Sequence, residues 1–291
     1  MFNRNNIKKL VLGLTALVAV GAKAAPLDEL ISPITNPVNF EDPRATTEVR
    51  PIYIYHSFDK NFITGGGNVQ IYALQARLAL SERLAVIATK DGIVDFNPKT
   101  TLSDENGFGN LGLGVKYAYY MDEQKGHIAS AALRYEAPTG EREVFQGQGD
   151  GFIQPSTSAA FTLGNGFHLL ASTDLRIPTD NADSLYWDAD VQVDKKVDLG
   201  GVTLYPAVGL NLMHVGSAGS RLPLRAEGAD YFNFGASGAG GANVVTGTVG
   251  ARARFNETVD FGVGYQFPLT SGAASDVFDW RLTTDMIFRF C

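Results

Sequence analysis

The chain has 291 residues, of which 45% are hydrophobic, 19% charged and 32 glycine, with a net charge of -7. That acidic balance excludes a nucleic-acid surface, the single cysteine excludes a disulfide framework or a cysteine-based metal site, and no apolar run after residue 24 is long enough for a membrane helix. Hydropathy near zero, with 11% aromatics, is what alternating apolar and polar positions average to, and a membrane β-barrel hides its membrane character in this way.

The chain opens on Arg4, Lys8 and Lys9, then eleven apolar residues over 10–20, then Ala22-Lys23-Ala24. A basic start, a short apolar run and a small-x-small tripeptide predict a signal peptide over 1–24. Cleavage before Ala25 removes four positive charges and takes the net charge to -11. Residues 25–47 have no clean period, because Pro26, Pro33, Pro37 and Pro43 break it. They read as a periplasmic N-terminal arm or a lumen plug. Asp28, Glu29, Glu41 and Asp42 stand there against Arg44 alone, and this acidic arm is expected to dock at the periplasmic mouth.

From residue 48 to 291 strands and breaks alternate. The expected strands are 48–58, 68–80, 83–94, 110–121, 127–137, 152–163, 167–177, 185–195, 202–214, 243–255, 258–269 and 278–290, with a polar loop over 95–107. In 110–121, Leu111, Leu113, Val115, Tyr117, Tyr119 and Met121 share one face, against Asn110, Lys116, Ala118 and Tyr120. The last strand sets Phe278, Trp280, Leu282, Met286, Phe288 and Phe290 against Asp279, Arg281, Asp285 and Arg289. A period of two is a strand. Aromatics at both ends of the apolar face are how a lipid-facing strand reads, and roughly 43 Å of extended chain at a tilt near 45° crosses a core of about 30 Å. The strand count is even, and connections are short after even strands and longer after odd ones. Both predict an all-β fold, a twelve-stranded antiparallel transmembrane β-barrel of the outer-membrane type.

The signal, the alternating strands and the aromatic last strand resemble bacterial outer-membrane β-barrel proteins. Their assembly signal is a terminal Phe with apolar residues at alternate positions before it; here Met286, Phe288 and Phe290 carry that pattern, displaced by one through Cys291. The size and the run from Gly107 to Tyr117 also resemble transporters linked to the meta-pathway of phenol degradation. The resemblance implies a barrel inserted by the barrel-assembly machinery through its C-terminal strand, ringed by outer-membrane lipid and passing small polar or aromatic solutes. A plugged structural barrel that binds a surface, and a lipid-modifying enzyme, are the alternatives.

No enzyme chemistry stands out. His56, His127, His168 and His214 form no local pair, so neither a metal nor another cofactor is implied. Tyr55-His56-Ser57 puts His and Ser on opposite faces of a strand, where they cannot share a proton as in an outer-membrane phospholipase. Asp180, Asp183 and the run Gly147–Gly151 read as loop turns before they read as a calcium site. What remains is the inner face. It is expected to carry Arg50, Arg77, Lys116, Arg134, Arg176, Arg252, Arg254, Arg281 and Arg289 against Asp91, Glu136, Asp174, Asp188, Asp190, Asp194, Asp260, Asp279 and Asp285. Such charges need partners or water inside a membrane wall. They either rigidify a closed lumen or select solutes in a narrow channel. Solute-contact candidates are Arg50, Arg77, Lys116, Arg252, Arg254, Arg289 and Arg281, with Asp188, Asp190, Asp260 and Asp285. Arg50, Arg77, Arg252, Arg254 and Arg289 cluster near the periplasm as a basic wall, which either meets solute or pairs with the acidic arm.

Overall fold

A computed structural model describes residues 26–290; the expected signal peptide and Cys291 lie outside the described residues. Twelve barrel strands follow in order: β1 (Glu48–Ser57), β2 (Gly67–Ala79), β3 (Leu84–Lys90, resuming as Ile93–Pro98), β4 (Glu105–Phe108, resuming as Leu111–Asp122), β5 (His127–Ala137), β6 (Phe152–Gly164), β7 (Phe167–Pro178), β8 (Leu185–Lys195), β9 (Thr203–Ser217), β10 (Asn243–Arg254), β11 (Val259–Pro268) and β12 (Trp280–Arg289). Each pairs antiparallel with the next. β1 then closes on β12, with Ile52 opposite Asp285 and Tyr53 opposite Thr284, so no edge is left to aggregate.

The period of two sorts the side chains. Tyr72, Leu74, Leu78, Leu113, Val115, Tyr117, Leu133, Val208 and Leu210 are about half exposed. A band of large apolar residues around a whole barrel is stable only against lipid. At the alternate positions Arg50, Arg77, Lys116, Arg134, Arg176, Arg252 and Arg281 are buried in the interior. The longer connections gather at one end, extracellular in such barrels, and the short turns at the periplasmic end.

Three local expectations are corrected. Residues 95–107 are not one polar loop, because Ile93–Pro98 pairs with Glu105–Phe108 and carries the β3–β4 hairpin onward. β3 and β4 each contain a bulge, which shifts inside to outside. The register slips between Ala88 and Lys90, so Lys90 is buried, while the Asp91 carboxylate accepts the Leu74 N–H of the neighbouring strand at 2.9 Å instead of facing the lumen. A second slip between Ala118 and Tyr120 turns Tyr120 outward, and Met121 packs inside instead. Finally, β12 starts at Trp280; Phe278 is buried before it and Asp279 is exposed, opposite to a strand begun at 278. Extra residues in a ladder invert every following side chain until the next irregularity.

Candidate functional site

The interior is filled by two segments. The first is the arm. Leu30, Ile31, Ile34, Val38 and Phe40 are almost wholly buried inside the barrel. The proline-broken sequence forms no ladder of its own, so its carbonyls must find donors elsewhere, and the wall supplies them as arginine. Arg252 donates to Ser32 O at 3.1 Å and to Pro33 O at 3.1 Å. Arg50 reaches Pro33 O at 2.8 Å, Gln75 reaches Pro37 O at 2.7 Å, and Arg134 donates to Val38 O. Arg254 donates to Leu30 O at 2.9 Å. On the facing strand, Gly264 leaves room for the arm: a Cβ there would lie 2.6 Å from Ile34 O.

The acids of the arm complete the seat. Arg77 and Lys116 hold the two oxygens of Glu41 at 2.6 and 2.7 Å. Burial pushes the Glu41 carboxyl up, but the two cations outweigh it and hold it at about 2. Asp42 pairs with Arg44 at 2.6 Å, and burial is outweighed there too, so its carboxyl also lies below the ordinary range. Arg44 in turn donates to Leu30 O at 2.8 Å, tying the return limb of the arm to its start. Asn36, at the turn, donates to Asp190 at 2.8 Å and accepts from Gln266 and Arg281 at 3.2 and 3.3 Å. Arg281 lies one residue into β12, next to the long-loop end. The arm therefore reaches well past the periplasmic mouth.

The second segment is the loop 218–242, which folds inward from the opposite end. Its Asp230 pairs with Arg281 at 2.6 Å. Its carbonyls at Tyr231 and Phe232 accept from Lys90 at 2.6 Å and Arg176 at 2.9 Å, and Tyr231 donates its hydroxyl to Asp91 O in the β3 bulge. Glu227 organises the loop, accepting from Ser184 at 2.6 Å, Tyr186 at 2.5 Å and the backbone of Phe234 at 2.8 Å. Between the two segments a cavity of about 30 Å³ remains, lined by Asn36, Asp188, Asn211, Asp230, Thr246 and Gln266. That is room for a water or two. Asp188 has one carboxylate oxygen buried with no hydrogen-bond partner among the described residues.

All eleven solute-contact candidates face this filled interior, but most are committed. Arg50 and Arg252 share Asp285 at 2.5 and 2.6 Å. Arg254 and Arg289 share Asp260 at 3.1 and 2.7 Å. Arg77 and Lys116 hold Glu41, Arg281 holds Asp230, and Asp190 holds Asn36. The basic side chains of the periplasmic half are thus engaged by the arm and by wall carboxylates. Glu136 lies inside as its strand predicts, whereas Lys90, Glu227 and Tyr231 were not legible as lumen groups. The one signal was Gly92, since a glycine inside a strand pattern marks a bulge.

The inner wall also has an apolar sector. Ile52 and Ile54 of β1, Val69 and Ile71 of β2, and Val94 and Phe96 of β3 form one cluster with Val38 of the arm and Phe232 and Phe234 of the loop. His56 sits at its edge, with Nε2 at 2.7 Å from Val277 O and Nδ1 accepting from Arg281 at 3.1 Å. Ser57 turns away and donates to Asp279 at 3.1 Å.

An outer membrane channel from Pseudomonas putida F1 shares the fold, with a TM-score of 0.60 at 19% identity, covering 90% of this chain and 100% of that one. The NanC porin gives 0.48 at 9% identity over 84% of this chain and 99% of its own, and the KdgM porin in complex with disordered oligogalacturonate gives 0.46 at 10% over 83% and 99%. No curated protein sequence matches the chain. A family model matches residues 44–210, more than half of the chain, so this outer-membrane β-barrel belongs to the family described as "Putative MetA-pathway of phenol degradation".

Proposed function

We propose that the protein is an outer-membrane channel for small polar or aromatic solutes, closed at rest by its own arm and opened when the arm leaves the lumen. The observation that carries this reading is where the wall's hydrogen bonds go. Arg50, Arg77, Lys116, Arg134, Arg252 and Arg254 all donate to residues 28–42. A barrel built only to be rigid can satisfy its charges within the wall, as Arg289 does here with Asp260 and Glu48. A wall whose donors turn to one segment that can withdraw is polar again once that segment goes: Arg77 and Lys116 lose their shared carboxylate, and Arg50, Arg134, Arg252 and Arg254 regain free N–H donors beside Asp285, Asp174 and Asp260, a lining suited to carboxylates. The outer membrane channel from Pseudomonas putida supports the reading through its shared fold.

Conductance in planar bilayers tests it. Purified protein is expected to show small, infrequent steps, and protein lacking residues 26–46 large and stable ones. Silence from both proteins, each folded by heat-modifiable gel mobility, would overturn the channel in favour of a plugged structural barrel. With the arm bound, the cavity of about 30 Å³ passes little beyond water, so release of the arm is the step that limits passage.

A further inference from the structure

The long-loop mouth holds a cavity of about 140 Å³ that has nothing to do with the polar lumen. It lies between the loops 58–66, 99–104 and 218–242 and the short turn Arg142–Val144 with the residue after it. Phe62, Phe96 and Phe234 are buried at its base. Phe145 stands edge-on to Phe96 and Phe234, with ring centroids 5.3 and 5.4 Å apart. Leu102, about half exposed, stands at its rim.

Among the described residues no charged side chain lines this cavity. Its two threonines are turned to other work or buried away: Thr101 donates to Ile63 O at 2.8 Å, and Thr64 is 1% exposed. A polar ligand would therefore lose its water without recovering hydrogen bonds, at a cost of about 1–3 kcal/mol per group. An apolar ligand loses nothing. Apolar cavities of about 150 Å³ in other proteins stay dry and accept benzene, so this volume fits one six-membered ring. Aromatic walls in edge-on arrangement suit a ring, whose positive edge meets a negative face.

The position adds to the argument. Phe62, Phe96 and Phe234 belong to the same apolar cluster as Phe58, Ile54, Ile71, Val94 and, at its inner end, Val38 of the arm. An occupant of the cavity is thus in contact with an apolar sector that runs from the outer mouth to the segment closing the lumen. We infer that this cavity is a binding site for an uncharged single-ring aromatic molecule or a hydrocarbon of that size. The site rests on the channel reading for its use in uptake, and on its own geometry for its existence.

The test uses the full barrel in lipid nanodiscs and fluorobenzene as the probe, followed by ¹⁹F NMR, with iodobenzene soaked into crystals to place the site. Leu102→Trp puts an indole into the cavity from a half-exposed rim position; Leu102→Asp puts a charge at the same rim and keeps the test open if the first variant folds poorly. Saturable binding that weakens at least tenfold in either variant, with iodine found among Phe62, Phe145 and Phe234 and with benzoate unable to compete, is the expected result. Binding that is unsaturable, is equal in wild type and variants, or is matched by benzoate would overturn the site. Ion conductance is recorded on the same preparations. Conductance without ring binding removes the site alone; ring binding without conductance leaves the site standing and removes the channel.

Discussion

Glu41→Gln is the sharpest perturbation of the closed state. Glu41 is 2% exposed and is the shared anion of Arg77 and Lys116. The substitution keeps the shape and leaves two buried cations facing a neutral amide; the nearest other acid, Glu48, stands 3.4 Å from Arg77. Removing one partner of a buried ion pair costs about 3–5 kcal/mol. A carboxyl held at about 2 instead of its ordinary 4.5 gives a similar figure, about 3 kcal/mol. The penalty falls on the docked arm alone, because water hydrates both cations once the arm has left. Undocking should therefore become roughly 100- to several-thousand-fold more favourable. Asn39, buried with no side-chain partner among the described residues, is a suitable reporter: Asn39→Cys in a Cys291→Ser background reads arm release as the rate of maleimide labelling. Glu41→Gln should raise that rate by at least two powers of ten and lengthen the large conductance steps. Equal labelling rates in the two proteins would refute the claim that this triad holds the arm.

Acid should act on the same group. The docked carboxyl is depressed, so its contribution is complete above about 4.5 and is lost as pH falls from there through about 2; labelling of the Asn39→Cys reporter, taken relative to the unfolded chain at the same pH because only the thiolate reacts, should be flat down to pH 5 and rise below 4, and a rise centred at neutral pH would count against it. Deleting residues 26–46 removes Asp28, Glu29, Glu41 and Asp42 with only Arg44, leaving the lumen three charges more positive, so the reversal potential in a salt gradient should move toward anions; a move toward cations would contradict the pairing described. Glu227→Gln turns one of two carboxylate oxygens, which together accept from Tyr186, Ser184 and three backbone N–H groups, into an NH2 donor, at about 1–3 kcal/mol for each donor left unpaired, and should expose loop 218–242 to protease while leaving the barrel heat-modifiable. Gly92→Val forces a branched residue to a φ of +111° with its Cβ 2.5 Å from Tyr72 O; the strain, about 1–3 kcal/mol or more, should lower the folded fraction on gels, and an unchanged yield would mean that the β3 bulge tolerates side chains.

Strand number, closure and most of the inward set of charges were legible from residue order, because alternation is a property of each strand by itself; Asp91 and Asp279 are the exceptions. Arg77, Asp190 and Asp285 are inward for the same local reason that Tyr72, Val191 and Met286 are outward. Short turns such as Asn165-Gly166 carry their geometry in two residues. What the order of residues did not determine was anything that depends on a second segment. Gly92 carries the signal of a bulge in retrospect, but 83–94 read as one unbroken strand, and only the register slip between Ala88 and Lys90 turned Lys90 inward and took Asp91 out of the lumen. The charges of the interior were countable, but Arg50 meets Asp285 across 235 positions and Arg252 meets Ser32 O across 220. No spacing encodes such pairs; barrel closure brings them together. The place of residues 26–47 has the same origin. A segment broken by four prolines offers carbonyls and no ladder of its own, and tertiary structure alone decides whether water or a ring of arginines satisfies them.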